Sequence, residues 1–336
     1  MWGQIREDKH WFAALVDTLL IVSIYLQFNR SSSNTIFHRF GQKNRNLLSI
    51  NCLSEQAFLM SGKFNWSPFV KGVFDENGRI QPLNCNKHEL AHRIISVGDP
   101  NRAQMISKAF DKDTPVIVRQ SSMIFCTYTG KYHGIPISVV ATGMGFAMAE
   151  LMVVQVRALL DGPVTIIRFG TCGSLHADVP IGCFAIANKA YYVRQDFEKE
   201  GFPFEFAKES IPFEQPLMDL VHEEFKKLTE YRTVIGPDTS ADTFYPSQGR
   251  LDDSFIMENS DLIPALLRQD PEALSFEMET YLLAFLSNKF PEAQLRTAAV
   301  CLTLAQRTSG DFLDNKRKGN MEVAACGALL ETLAKL

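Results

Sequence analysis

Short apolar runs alternate with amphipathic segments over most of this chain. Apolar runs bounded by turn formers indicate buried strands, whereas apolar positions three and four residues apart indicate helices. Strands are predicted at 93–97, 115–119, 123–129, 135–141, 163–169, 181–192, 273–276 and 297–303. Helices are predicted after the first of these strands as far as residue 110, and at 147–160, 216–228, 280–286 and 321–336. This alternation is typical of an α/β protein.

The polar stretch 238–252 (DTSADTFYPSQGRLD) interrupts the pattern. Gln248 and Arg250 stand two residues apart, so in an extended segment both side chains would lie on the same side. A planar amide and a planar cationic fork can then bind one planar polar partner. The alternative is a surface loop with a solvated arginine. A second polar stretch, 307–319, contains two glycines and is predicted to form a mobile lid.

The first sixty residues differ from the rest. Residues 11–28 form an apolar run interrupted by Asp17, which is marginal for a membrane span of about twenty apolar residues. Either residues 1–59 are a targeting or anchoring extension, or translation starts at Met60 and they are absent from the mature protein. We favour the second interpretation. No membrane segment is predicted after Met60, and residues 60–336 are predicted to form one domain in the cytoplasm.

Composition narrows the possible functions of the 336-residue chain. Hydrophobic residues make up 46% and charged residues 21%, as in ordinary globular proteins. The net charge is −4 and no long basic run occurs, which disfavours nucleic-acid binding. The seven cysteines form no CxxC pair and the histidines form no HExxH motif, so no metal site is predicted. Free thiols in a reducing compartment fit this pattern.

Two arginines stand where an α/β sheet commonly binds anions. The sequence GDPNR, from Gly98 to Arg102, follows the predicted strand 93–97, so backbone N–H groups and a positive helix end would meet there. Arg168 lies in a near-continuous apolar strand and is followed by Thr171. A buried unpaired charge is costly, and a bound anion would explain this arginine. The alternative is an internal ion pair with a carboxylate.

Two glutamates flank Met278 at a predicted strand-to-helix junction. Glu277 and Glu279 are therefore candidates to accept hydrogen bonds from vicinal hydroxyl groups, such as those of a ribose. The alternative is a helix N-terminus enriched in acidic residues, which the helix dipole favours by itself.

Five motifs together resemble the nucleoside phosphorylase family, in the branch with a single α/β domain. They are GDPNR, TGMG, RFGTCG, DTFYPSQGR and SFEMET, and the resemblance extends from about residue 80 to the end. The pattern F-Y-P-x-Q-x-R resembles the uridine phosphorylase branch. The resemblance implies a three-layer α/β/α fold whose mixed β-sheet forms a distorted barrel, active as a homodimer or as a hexamer of dimers. It also implies cleavage of uridine, and of deoxyuridine, by inorganic phosphate, without an organic cofactor; an inorganic cation at the subunit interface is an open point.

The resemblance also implies roles for individual residues. Phosphate contacts fall on Gly98, Arg102, Arg168 and Thr171; nucleoside contacts fall on Phe244, Gln248, Arg250, Glu277, Met278 and Glu279. Of these, Arg102, Arg168 and Arg250 would be catalytic. Phosphorolysis separates a cationic sugar from an anionic base, so fixed donors placed where charge develops carry the catalysis.

Substrate choice within the family leaves alternatives open. The purine branch has an acidic residue after its late strand, whereas the matching segment here, CLTLAQRTSGD, has no Ser-Asp at the strand end. This counts against purine nucleosides and against the related nucleosidases, which also lack the GDPxR arginine. A purine nucleoside phosphorylase or nucleosidase, and a non-catalytic nucleoside-binding relative, remain the alternatives.

The chain departs from the family in three places. The phosphate arginine that the neighbouring subunit often supplies matches Ser122 or Met123, and Arg119 is the nearest arginine. The histidine that bacterial members lend to the ribose 5′-hydroxyl falls near Gln81 or Pro82. A common G-D-V turn is Gly182-Cys183 here.

Overall fold

The strands of the protein form one large and one small sheet. The structure is a computed structural model that describes residues 65–66 and 73–336, and the prediction for residues 1–59 lies outside them. The strands are β1 (Asn65–Trp66), β2 (Val73–Phe74), β3 (Ile80–Gln81), β4 (Arg93–Val97), β5 (Ile117–Gln120), β6 (Cys126–Tyr132), β7 (Ile135–Ala141), β8 (Val164–Ser174), β9 (Cys183–Gln195), β10 (Phe204–Phe206), β11 (Ile211–Pro212), β12 (Arg232–Ala241), β13 (Ser275–Glu277) and β14 (Leu295–Gln306). The first three make the small antiparallel sheet.

Helices cover the large sheet. They are α1 (Pro100–Ser107), α2 (Phe146–Leu159), α3 (Gln215–Lys226), α4 (Leu262–Gln269), α5 (Thr280–Lys289) and α6 (Asn315–Ala334). None of the helices within residues 73–336 is long and apolar enough to cross a membrane.

Five strands close into a mixed barrel. Strand β8 pairs in parallel with β14 and antiparallel with β13, while β14 pairs antiparallel with β9. Strand β12 closes the ring by pairing in parallel with both β9 and β13. The sheet continues beyond the barrel from β8 through β4 and β7 to β6 and β5. This arrangement confirms the α/β fold with a distorted mixed barrel.

Strand β8 shows why helices lie on both faces of the sheet. Successive side chains point to opposite faces of a strand, and Ile166 and Ile167 are both fully buried. Ile167 packs in a core cluster that includes residues of α1, α3 and α6, whereas Ile166 packs in one that includes residues of α2 and α5. A strand buried on both sides must read as a continuous apolar run, as PVTIIRF does.

Two predictions about polar stretches are wrong in detail. Residues 238–241 belong to β12, and Gln248 ends a short 3-10 turn, Pro246–Gln248, instead of lying in an extended segment. Gly249 follows with a positive φ of 64°, which suits a glycine and turns the chain towards Arg250. The stretch predicted as a lid, 307–319, is also not a loop throughout, because α6 begins at Asn315 with its N-terminus capped by the Asp314 carboxylate.

Candidate active site

A cavity of about 570 Å³ lies where several strands of the large sheet end. All ten residues predicted for the site line it: Gly98, Arg102, Arg168, Thr171, Phe244, Gln248, Arg250, Glu277, Met278 and Glu279. Its size is typical of pockets for small organic ligands. The structure thus brings the predicted residues together, whereas their roles stay predictions.

The turn after β4 has no room for a side chain. A Cβ atom at Gly98 would lie 3.2 Å from the Gly143 carbonyl oxygen, which belongs to the TGMG turn after β7. The Asp99 carboxylate caps α1 by accepting a hydrogen bond of 2.7 Å from the Asn101 N–H. Two glycine turns therefore meet at the carboxyl ends of neighbouring parallel strands, where open α/β sheets bind ligands.

Arg102 is held in place by groups that the sequence did not point to. Its side chain is buried in the first turn of α1, and it donates to Glu322 on α6 at 2.9 Å and 2.8 Å. It also donates to the Phe169 carbonyl oxygen at 3.3 Å, with its guanidinium 5.3 Å from the Phe169 ring centroid. Glu322 is thus a counterion that fixes the guanidinium in the part of the cavity wall formed by Gly98, Arg102 and Arg168, called the anion corner below.

Arg168 lies in the middle of β8, not at its end as the sequence suggested, because the strand continues through the glycines to Ser174. It is opposite Ser96, near the carboxyl end of β4. Its Nη2 donates to the Glu279 carboxylate at 2.5 Å, so the alternative of an internal ion pair is also correct. Its Nε and Nη1 atoms are buried without a partner within the described chain, and they remain available to an anion.

Glu277, the last residue of β13, and Glu279, which follows the strand, have different environments. Glu279 accepts from Arg168 and, at 2.5 Å, from the Gly145 N–H of the TGMG turn. Glu277 accepts from the N–H groups of Glu279 at 2.8 Å and of Thr280 at 3.0 Å, so it caps α5. Both carboxyls have a pKa raised to about 7, chiefly because burial disfavours their charged forms. Glu277 therefore combines helix capping with a place in the cavity wall.

Opposite the anion corner, the cavity wall is cationic and aromatic. The Arg250 guanidinium lies 4.3 Å from the Phe244 ring centroid, and burial lowers its pKa. No carboxylate of residues 73–336 forms an ion pair with it, and its Nε has no hydrogen-bond partner among them. A half-buried guanidinium without a counterion favours a ligand with negative charge at this end.

Arg307, in the stretch predicted as a lid, does not line the cavity but binds a residue that does. Its Nη2 donates to Gln248 Oε1 at 2.8 Å. Arginine has only donors, so it must hold the amide oxygen, which leaves the Gln248 amide N–H groups for a ligand. A Cβ atom on Gly173 would lie 2.3 Å from Arg307 Nε, so the glycine makes room for this arginine. Burial, and next the charge of Arg250, lower the pKa of Arg307 to about 10.

We expect Arg307→Gln to raise KM for the nucleoside about 10- to 100-fold with a smaller change in kcat. A hydrogen bond to a charged group is worth about 1.5–3 kcal/mol, and Gln248 would lose its fixed orientation. Gly173→Ala should give the same result by displacing Arg307. Steady-state kinetics of both variants check this, and an unchanged KM in both would remove Arg307 from the site.

The residues at the positions that depart from the family do not bring a further arginine to the cavity of this chain. Arg119 forms an ion pair with Glu89, which also binds Arg79 at 2.8 Å, and it is not among the cavity residues. Ile124, not Ser122 or Met123, lines the cavity and packs over Gly143. Gln81 donates to Asn84 at 3.1 Å in the small sheet region and does not reach the cavity.

The barrel and its cavity define an α/β protein that can hold an anion beside a polar ring. A family model described as "Phosphorylase superfamily" matches residues 92–335. The chain belongs to this superfamily.

Individual relatives include enzymes for both kinds of base. The chain is 29% identical over 240 residues to a uridine phosphorylase of Thermococcus kodakarensis, covering 70% of this chain and 81% of the relative. It is 29% identical over 211 residues to a DeoD-type purine nucleoside phosphorylase of Bacillus cereus, covering 62% and 80%. A solved structure from work on two uridine phosphorylases of the oomycete Phytophthora capsici superposes with a TM-score of 0.77 and 28% identity, covering 81% of this chain and 99% of that one.

Proposed function

We propose that this protein is a uridine phosphorylase, which cleaves uridine and deoxyuridine with inorganic phosphate to give uracil and (deoxy)ribose 1-phosphate. The observation that carries the proposal is the cationic end of the cavity. There Arg250 lines the wall without a carboxylate partner in the described chain, beside the Gln248 amide, which Arg307 orients from outside the cavity lining. One edge of a uracil ring presents both carbonyl oxygens and an N–H group, which complement such a wall.

Phosphate would occupy the opposite corner. The unpartnered Nε and Nη1 of Arg168, the Arg102 guanidinium and the turn at Gly98 surround it. A phosphate held there is both the nucleophile at the sugar carbon and the counter-charge for the cationic sugar of the transition state. Glu279 and Met278 line the cavity beside this corner, in position for the sugar hydroxyls and the sugar face.

The base leaves as an anion unless it is protonated. Arg250 would stabilise charge on a uracil carbonyl oxygen, while the Gln248 amide donates to the same edge. Of the acidic residues in the cavity wall, Asp99 belongs to the phosphate turn and Glu277 and Glu279 to the sugar side. Asp311, in the segment after β14, is exposed and is not a wall residue. This end of the cavity has cationic groups and no acid. It therefore favours a pyrimidine base that leaves as an anion over a purine base that must be protonated to leave.

An absorbance assay with uridine, thymidine and inosine, each with and without phosphate, tests the proposal. We expect uridine cleavage that depends on phosphate. Cleavage of inosine in preference to uridine would indicate a purine enzyme instead, and turnover without phosphate would indicate a nucleosidase. The absence of turnover, together with uridine binding, would indicate a non-catalytic nucleoside-binding relative.

Three wider features belong to the same proposal. No organic cofactor is needed, because phosphate is the second substrate. A homodimer, or a hexamer of dimers, is the proposed active assembly, and the position at which the family's neighbouring subunit carries its phosphate arginine is Ser122 or Met123 in each copy. Six cysteines of the described chain are free and buried, which suits a reducing compartment such as the cytoplasm and a role in pyrimidine salvage.

A further inference from the structure

A third acidic residue, Asp238, lies behind the two glutamates of the cavity wall. It is 2% exposed on β12 and pairs in register with Ser275 on the parallel strand β13. Ser240 pairs with Glu277 two residues further along, so Asp238 and Glu277 point to the same face of the sheet. Asp238 does not line the cavity itself, and neither the motifs nor the proposed reaction assigns it a role.

The Asp238 carboxyl is only partly satisfied. Its Oδ1 accepts from the Ser275 hydroxyl, whereas its Oδ2 is buried and has no donor within the described chain. The side chain lies within hydrogen-bonding reach of Glu277. Two carboxylates have no proton between them to donate, so one proton shared by the pair would satisfy Oδ2.

The charges around Asp238 and Glu277 also favour keeping one proton on this pair. Glu277 and Glu279 share one arginine, Arg168, and Asp238 adds a third acid beside Glu277, while the thiols of Cys301 and Cys172 border the same cluster. Two carboxyls in contact in a dry site do not both ionise. Burial raises the pKa of Asp238 to about 7, as it does for Glu277. The ordinary pKa of an aspartate is about 4.

We propose that Asp238 is a positioning residue that shares a proton with Glu277 and thereby limits the negative charge behind the anion corner. The proton keeps Glu277 as the cap of α5, which places Glu279 against Arg168. Loss of the proton adds one negative charge close to Arg168 and weakens its attraction for a dianion. This inference rests on the proposed function only for the identity of the anion.

The sign of the pH effect follows from the raised pKa values. Between about pH 4 and pH 7 the folded cluster binds a proton that the unfolded chain releases, so its contribution to stability is full at low pH and is lost as pH rises through about 7. Anion affinity changes in the same direction. It should fall as pH rises through about 7, because the pair then becomes doubly charged.

Sulfate binding, measured by calorimetry between about pH 6 and pH 8, tests the proposal without turnover. Sulfate keeps both charges over this range, and an ordinary cysteine titrates above it, at about 8.5. We expect the dissociation constant of the parent protein to rise about tenfold, which corresponds to one pKa unit of coupling. Asp238→Asn cannot ionise and keeps a donor for Glu277, so its dissociation constant should rise by less than that of the parent protein. The change that remains is assigned to Glu279, whose pKa is also raised to about 7.

Asp270→Asn is the matched control. Asp270 is also a buried aspartate, but Lys189 and Tyr191 bind it and hold its pKa low, and it is not a cavity residue. This variant should keep the tenfold change. The same change in Asp238→Asn, or none in the parent protein, would overturn the proposal. If Asp238→Asn does not fold, carbon-13 NMR of aspartate-labelled parent protein decides, since an Asp238 carboxyl fully ionised at pH 6 contradicts the shared proton. Sulfate binding with no uridine cleavage would leave this inference standing while the proposed function fails.

Discussion

Arg168→Gln is expected to lower kcat/KM for phosphorolysis of uridine by about 10³. The change removes two buried donors, Nε and Nη1, that have no partner within the described chain, from a side chain that lines the cavity. Loss of one fixed donor at a site of developing charge costs about 10²–10³ in rate, and this residue supplies more than one. Steady-state rates at saturating and at low phosphate measure the effect, and normal kinetics would remove Arg168 from the mechanism.

The same substitution should also destabilise the fold, by about 3–5 kcal/mol at neutral pH. Arg168 is buried in an ion pair with Glu279, and Glu277, which has Asp238 beside it, is also close to Arg168. Without the guanidinium, buried carboxyls remain without a counter-charge. The deficit should shrink as pH falls below about 7, because the pKa of Glu279 is already raised by burial and Arg168 is the group that opposes the rise.

The double variant Arg168→Gln, Glu279→Gln separates the two effects. Removing both charges restores most of the free energy of unfolding, since no unpaired charge is left in the core. Turnover should stay low, because the anion donors are still missing. Denaturant unfolding and activity are measured on both variants. Recovery of turnover in the double variant would mean that Arg168 serves the fold and not phosphate.

Structural features formed by residues adjacent in sequence could be predicted. Strand β4 occupies residues 93–97 as expected, and the glycine turn with Arg102 follows it at once. Here the strand, the turn and the helix start are local, so the sequence pattern determines where the N–H groups point. Glu277 and Glu279, at the end of β13 and just after it, were found for the same reason.

Features that depend on distant contacts could not be predicted. Strand β12 contains Gly236 and Pro237, which indicate a turn, yet β9 and β13 hold it in a sheet with an irregularity between Gly236 and Asp238. Its parallel neighbours therefore bury Asp238, which the sequence pattern placed in a polar loop.

The side-chain contacts of Arg307 and Glu322 also join residues distant in sequence, so they could not be predicted either. Arg307 reaches Gln248 only because Gly173, on another strand, leaves space for it. Glu322 meets Arg102 across 220 positions of the chain, between the first and last helices. Neither residue belongs to a motif, and each gains its role from a contact between segments distant in sequence.

Arg250→Ala is expected to lower kcat/KM for uridine by about 10²–10³ while the free energy of unfolding changes by less than about 1 kcal/mol. Arg250 has no carboxylate partner within residues 73–336, so its removal leaves no charge unpaired. Its guanidinium is held by the Phe244 ring at the end of the cavity where the base is expected. Arg268→Ala is the control, since Arg268 is exposed and bound to Asp261.

The chemistry of the leaving group provides the sharper test of Arg250. If the arginine stabilises negative charge on the departing base, a base that is a better anion needs it less. The loss caused by Arg250→Ala should therefore be smaller with 5-fluorouridine than with uridine, because fluorine makes the uracil more acidic. Equal losses with both substrates would indicate that Arg250 binds the ground-state ring uniformly and that the anionic base is stabilised by other groups. A greater loss with 5-fluorouridine would contradict a charge-stabilising role altogether.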